Sequence, residues 1–135
     1  MENRKLIYYL DDDLEDLAVF RDVVEDLGHE VSIFADGKTM LKTLAGAAIL
    51  PDIIFLDIVM PVLDGDEIFH FIHGSDKWKQ IPIVMISGHS PKPLIRHYLA
   101  AGAKYILKKP ATVNEFRETL AYVLAIDWDT FQAFS

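Results

Sequence analysis

Five short apolar runs, each followed by a stretch with helical spacing, leave few architectures open to this chain. The runs are Leu6-Ile7-Tyr8-Tyr9-Leu10, Glu30-Val31-Ser32-Ile33-Phe34-Ala35, Ile53-Ile54-Phe55-Leu56, Ile81-Pro82-Ile83-Val84-Met85-Ile86 and Lys104-Tyr105-Ile106-Leu107-Lys108. The first, third and fourth are almost continuously apolar, the pattern of strands buried on both faces. The second and fifth partly alternate, which places them at the sheet edges, where the lysines of the fifth also discourage edge pairing. Helical spacing covers Leu14 to Leu27, closed by Gly28; Lys38 to Ala47; Asp66 to His73; and Pro93 to Ala101, closed by Gly102. A last helix follows Thr112, an N-cap with Glu115 three residues later as a capping box. Strand and helix alternating five times predict a mostly parallel α/β sheet with right-handed crossovers. With runs two and five at the edges, the doubly wound strand order 2-1-3-4-5 fits.

Composition narrows the function classes. A length of 135 residues predicts one domain, and 51% hydrophobic residues argue against disorder. The absence of cysteine removes disulfide scaffolds, thiolate metal sites and cysteine nucleophiles. A formal charge of -8 disfavours a broad basic face, so no nucleic-acid partner is expected. No segment reaches the roughly 18 uncharged apolar residues of a membrane span, and the first ten residues lack a signal-peptide core. The expectation is a soluble cytoplasmic protein without membrane contact. Residues 127–135 form a short tail, whose Trp128, Phe131 and Phe134 are expected to pack across a domain end.

In open α/β sheets, ligands bind beyond the carboxyl ends of the strands, where the strand order reverses. Run one ends in Asp11-Asp12-Asp13, run three in Asp57, run four in Ser87-Gly88 and run five in Lys109-Pro110. The predicted order brings Asp11, Asp12 and Asp57 into one cleft flanked by Ser87 and Lys109. Clustered carboxylates repel one another, and a hard divalent cation such as Mg2+ would relieve that cost. Carboxylates, one metal, a hydroxyl and an ammonium are the parts of a phosphoryl-transfer site. A carboxylate can itself accept the group as an acyl phosphate, and Asp57, alone at the end of a central strand, is the candidate. Asp13 is assigned to capping the first helix.

The chain resembles a response-regulator receiver domain of the stand-alone, chemotaxis-regulator type. The resemblance rests on Leu10-Asp11-Asp12-Asp13, Asp52-Ile53-Ile54-Phe55-Leu56-Asp57, Met60-Pro61, Asp64-Gly65, Ser87, Ala101-Gly102-Ala103 and Lys109-Pro110, in that order. It implies a flavodoxin-like fold over residues 1–126 and a two-component phosphorelay function. It makes Asp57 the phosphoacceptor, Asp12 and Asp57 direct ligands of Mg2+, Asp11 a ligand through water, and the Val59 carbonyl the remaining protein ligand. It makes Ser87 the switch hydroxyl and Lys109 the phosphoryl's cation, with a cis bond to Pro110. The implied partners are a histidine kinase or histidine phosphotransfer protein and a downstream protein target, met through the surface of helix four, strand five and helix five. The implied role is that of a switch, not an enzyme with turnover on external substrates.

The sequence departs from that family at several positions. The switch aromatic expected three residues before Lys109 is replaced by Ile106, and neighbouring Tyr105 should face the opposite side of the sheet. Val59 and His89 stand where residues tune hydrolysis, and a valine side chain cannot position water, so slow self-dephosphorylation is expected. His70 and His73 could share a metal, but no further ligands stand at suitable spacing. Trp78 is assigned to loop packing. The alternative function is a receiver-like interaction module that accepts no phosphate. An aspartyl phosphohydrolase of the dehalogenase type would need an aspartate at position 59, and a nucleotide-binding protein would need a glycine-rich loop after strand one.

Overall fold

The computed structural model describes residues 4–57, 65–88 and 92–128. Five strands and five helices alternate: β1 (Leu6–Leu10), α1 (Leu14–Asp26), β2 (Glu30–Phe34), α2 (Gly37–Gly46), β3 (Ile53–Asp57), α3 (Gly65–His73), β4 (Ile83–Ser87), α4 (Lys92–Ala101), β5 (Tyr105–Lys108) and α5 (Val113–Leu124). The strands form one parallel sheet in the order β2-β1-β3-β4-β5, the flavodoxin-like doubly wound order.

Strand alternation divides the apolar side chains between two cores. On one face Tyr8, Leu10, Ile54, Leu56 and Met85 pack against Met40 and Leu44 of α2, Phe69 and Ile72 of α3 and Tyr98 of α4. On the other, Ile7, Tyr9, Phe55, Val84 and Ile86 pack against Phe20 of α1 and Phe116 and Leu120 of α5. All of β3 and β4 is buried, whereas β2 and β5 are partly exposed, as edge strands are. Tyr105 belongs to the α1/α5 face and Ile106 to the other, so Tyr105 does not take the missing aromatic's place.

Helix ends carry their own signals. Asp13 caps α1 by accepting the amides of Glu15 and Asp16, Asp36 caps α2 through Thr39, and Thr112 caps α5 through Glu115. Each such cap stabilises by about 1 kcal/mol. After α1 and α4 the chain turns through Gly28 and Gly102 at φ +95° and +116°, a region L side chains avoid. The fourth run differs from its expected extent: the strand begins at Ile83, not Ile81. Pro82 has no amide to give a ladder; its carbonyl accepts from Ile54 at 3.0 Å, while the Ile81 amide closes a turn onto Trp78. β3 and β4 each run one residue further than their apolar runs, which carries Asp57 and Ser87 into the sheet. Trp78 is buried in the first core, and Trp128 packs against Tyr105 with ring centroids 6.4 Å apart. Phe131 and Phe134 lie outside the described residues. Among the described residues no helix is long and apolar enough to cross a membrane.

Candidate functional site

At the carboxyl edge of the sheet the ladder continues one residue past β1, because the Asp11 amide donates to the Phe34 carbonyl at 3.1 Å. Asp11 then turns the chain into α1: its Oδ1 accepts the Asp13 amide at 3.0 Å. The same side chain is wholly buried, and its Oδ2 accepts from the Tyr9 hydroxyl and lies 3.0 Å from Lys109 Nζ. Asp57 is the last residue of β3, buried and in register with Ile86. Ser87 closes β4, also buried, and its carbonyl accepts the Lys109 amide at 2.8 Å. Asp12 alone of the acidic set is exposed.

One carboxylate oxygen each from Asp11, Asp12 and Asp57 lie within 4.8 Å of one another. Lys109 Nζ stands 3.8 Å from Asp57 Oδ2 and 2.9 Å from Asp16 Oδ2. The strand ends thus bring the sequence-derived residues Asp11, Asp12, Asp57, Ser87 and Lys109 to one edge. Val59 and His89, with Met60, Pro61 and Asp64, lie outside the described residues. Lys109–Pro110 departs from expectation, because among the described residues every peptide bond is trans. Trans is the lower-energy isomer of an X–Pro bond by about 0.5–1 kcal/mol. With it Lys109 already holds Ser87 through its amide and the carboxylates through Nζ.

Burial pushes the Asp11 carboxyl upward, but the donors from Tyr9, the Asp13 amide and Lys109 outweigh it and hold Asp11 below the usual carboxylate range. Lys109 shows the mirror case. Burial lowers it, yet hydrogen bonds to Asp16 and Asp11 and the charges of Asp11 and Asp57 raise it well above an ordinary lysine. Tyr9 is raised by burial first and by the Asp11 charge second, so it stays a neutral donor. Among the described residues, Lys109 thus meets the carboxylates of Asp11, Asp16 and Asp57, and Asp12 joins Asp11 and Asp57 in the same acidic group. The remaining acidic excess, presented by oxygen ligands alone, suits a hard divalent cation.

Two members of this site escaped the sequence. Asp16 looks like any acid in a helix's first turn, and Tyr9 like any aromatic in a buried strand. Tyr9's position two residues before Asp11, on the same face of the strand, is the signal that could have found it. Of the histidine pair, His73 stacks on Phe69, while the His70 ring lies 6.4 Å from that of His97 between centroids. Among the described residues, Asp11, Asp12 and Asp57 are the one group of three side chains placed to share a metal.

Residues 7–121 match the family model of the response regulator receiver domain. The chain belongs to this family. Hybrid signal transduction histidine kinase A of Dictyostelium discoideum is 27% identical over 121 residues, covering 87% of this chain and 6% of the kinase. Sensor histidine kinase TmoS of Ectopseudomonas mendocina is 26% identical over 98 residues, 73% of this chain and 10% of the kinase. The receiver thus spans a small part of these two relatives. It spans 93% of the polar-differentiation response regulator DivK of Brucella anthropi, with 25% identity over 116 residues and 86% of this chain. Among solved structures, chemotaxis protein CheY4 of Vibrio cholerae superposes with a TM-score of 0.77 at 27% identity, over 89% of this chain and 98% of that one. The phosphorylated cyanobacterial phytochrome response regulator RcpA shares the fold, with a TM-score of 0.80 at 24% identity over 89% and 91% of the two chains.

Proposed function

We propose that this receiver accepts a phosphoryl group on Asp57 and that the modification switches a protein-interaction surface in a two-component phosphorelay. The observation that carries the proposal is a buried strand-end carboxylate with two further carboxylates within 4.8 Å and an ammonium at 3.8 Å. Asp57 forms a bond from its carboxylate oxygen to phosphorus as the bond from phosphorus to the donor's leaving group breaks. The electron pair of the broken bond departs with the leaving group, which takes up a proton, and the product is an acyl phosphate. The carboxylates of Asp11, Asp12 and Asp57 would hold Mg2+ together with the Val59 carbonyl. The chemistry supplied by that bound ion is neutralisation of charge on the carboxylates and on the phosphoryl oxygens. Lys109 adds a second positive charge beside Asp57. The Ser87 hydroxyl, at the end of the adjacent strand, would hydrogen-bond a phosphoryl oxygen and so couple modification to the conformation of β4.

The donor we infer is a histidine kinase or histidine phosphotransfer protein. Two relatives are named histidine kinases, and DivK is named a response regulator. The receiver unit is assigned to residues 1–126 and a packing tail to 127–135. It acts in the cytoplasm as a switch, with a downstream protein as its target, rather than as an enzyme turning over external substrates. Intact mass after incubation with Mg2+ and acetyl phosphate tests this. The wild type should gain one phosphoryl group and Asp57→Asn none. A wild type that gains nothing would leave an interaction module in place of a phosphoacceptor, and equal labelling of Asp57→Asn would move the acceptor elsewhere.

A further inference from the structure

The ammonium beside Asp57 is already engaged. Lys109 Nζ donates to Asp16 Oδ2 at 2.9 Å and pairs with Asp11 Oδ2 at 3.0 Å, but stands 3.8 Å from Asp57 Oδ2, beyond hydrogen-bond length. Its two short contacts therefore go to carboxylates other than the acceptor. The two differ in what they would lose if Lys109 moved. Asp11 has no exposed surface, so losing a donor would leave a buried charge poorly compensated. The Asp16 side chain is 39% exposed, so water can replace the ammonium there. Asp16 and Lys109 also share the wall of a cleft of about 170 Å³ with Val19, Thr112 and Phe116.

We propose that Asp16 is a latch on Lys109: it holds the ammonium back from Asp57 in the unmodified receiver and releases it when a phosphoryl group at Asp57 offers a stronger anionic partner. The proposal rests on Asp57 being the phosphoacceptor. Lys109 keeps Asp11 throughout and exchanges Asp16 for a phosphoryl oxygen. Asp16 is a positioning residue that acts only through Lys109. It raises the barrier to phosphorylation because its contact with Lys109 must be lost before Lys109 can neutralise the transferring group.

The rate of phosphate gain from acetyl phosphate in Mg2+, followed by intact mass, tests the latch. Asp16→Asn keeps the shape and removes the charge, and should label roughly two- to fivefold faster than the wild type, the scale of a partly exposed ion pair. Asp22→Asn, an equal charge loss on the exposed side of α1, should label at the wild-type rate. In a Lys109→Ala background Asp16→Asn should change nothing, since the coupling between two sites vanishes when one is removed. Equal rates for Asp16→Asn and wild type, the same gain from Asp22→Asn, or a gain that persists without Lys109 would each overturn the latch alone. A wild type that gains no phosphate would overturn the phosphoacceptor function and the latch with it.

Discussion

With no exposed surface, Asp11 keeps its charge only because Tyr9, the Asp13 amide and Lys109 each supply a hydrogen-bond donor. A hydrogen bond to a charged group stabilises by about 1.5–3 kcal/mol, and a buried acceptor stripped of a donor loses that much. Tyr9→Phe should therefore lower unfolding stability by about 1.5–3 kcal/mol in a denaturant titration. Tyr122→Phe, at an exposed residue of α5, should change it by less than about 0.5 kcal/mol. Equal stabilities for Tyr9→Phe and the wild type would show that the Tyr9 hydroxyl does not support Asp11. At this scale the sequence was legible wherever a chemical residue ended an apolar run, as Asp11, Asp57, Ser87 and Lys109 do. It was opaque where a second role hid the first. Asp16 sits in the first turn of α1, where any acid is favoured by the helix dipole, and only the tertiary approach of the segment after β5 shows that it meets Lys109. Tyr9 lies in a strand buried on both faces, where apolar continuity conceals which side chain carries a polar tip to the site.

The elements end where backbone chemistry stops them. Gly28 and Gly102 both take positive φ, but their surroundings differ. Nothing lies within 4 Å of a side chain added at Gly28, whereas one at Gly102 would run into the His73 ring. Gly28→Ala should cost about 1–2 kcal/mol, the backbone penalty alone. Gly102→Ala should cost more, because the His73 ring stacked on Phe69 must turn aside, and His73→Ala in the same chain should recover only that excess. Thermal unfolding of the three variants measures this; equal losses at the two glycines would contradict it. Element number and type were readable because five runs repeated the same alternation. Ends were less so. Pro82 lies within an apolar run yet cannot donate to a ladder, and Asp57 and Ser87 are polar residues that strand pairing nevertheless retains. The cis bond expected at Lys109–Pro110 came from family resemblance, and here the bond is trans, with the Lys109 amide donating to the Ser87 carbonyl.

Across the whole molecule, the strand order explains why residues from positions 11, 57, 87 and 109 share one edge. Placing β1 beside β3 brings Asp11 and Asp12 to Asp57, and placing β4 and β5 next in order brings Ser87 and Lys109. The acid excess of the chain, which in the sequence only disfavoured nucleic acid, has a local meaning here: part of it surrounds one lysine. Ile106 packs against the α2/α3/α4 core while Tyr105 meets Trp128 on the other face, so β5 turns no aromatic side chain toward α4. We propose the carboxyl edge of the sheet as a Mg2+-dependent phosphoacceptor site centred on Asp57. Its most direct test is to phosphorylate the protein with acetyl phosphate, trap the acyl phosphate by borohydride reduction and sequence the modified peptide. Modification should fall on Asp57 and be abolished by chelation of Mg2+. Modification at Ser87 or another residue, or labelling that survives chelation, would contradict the claim.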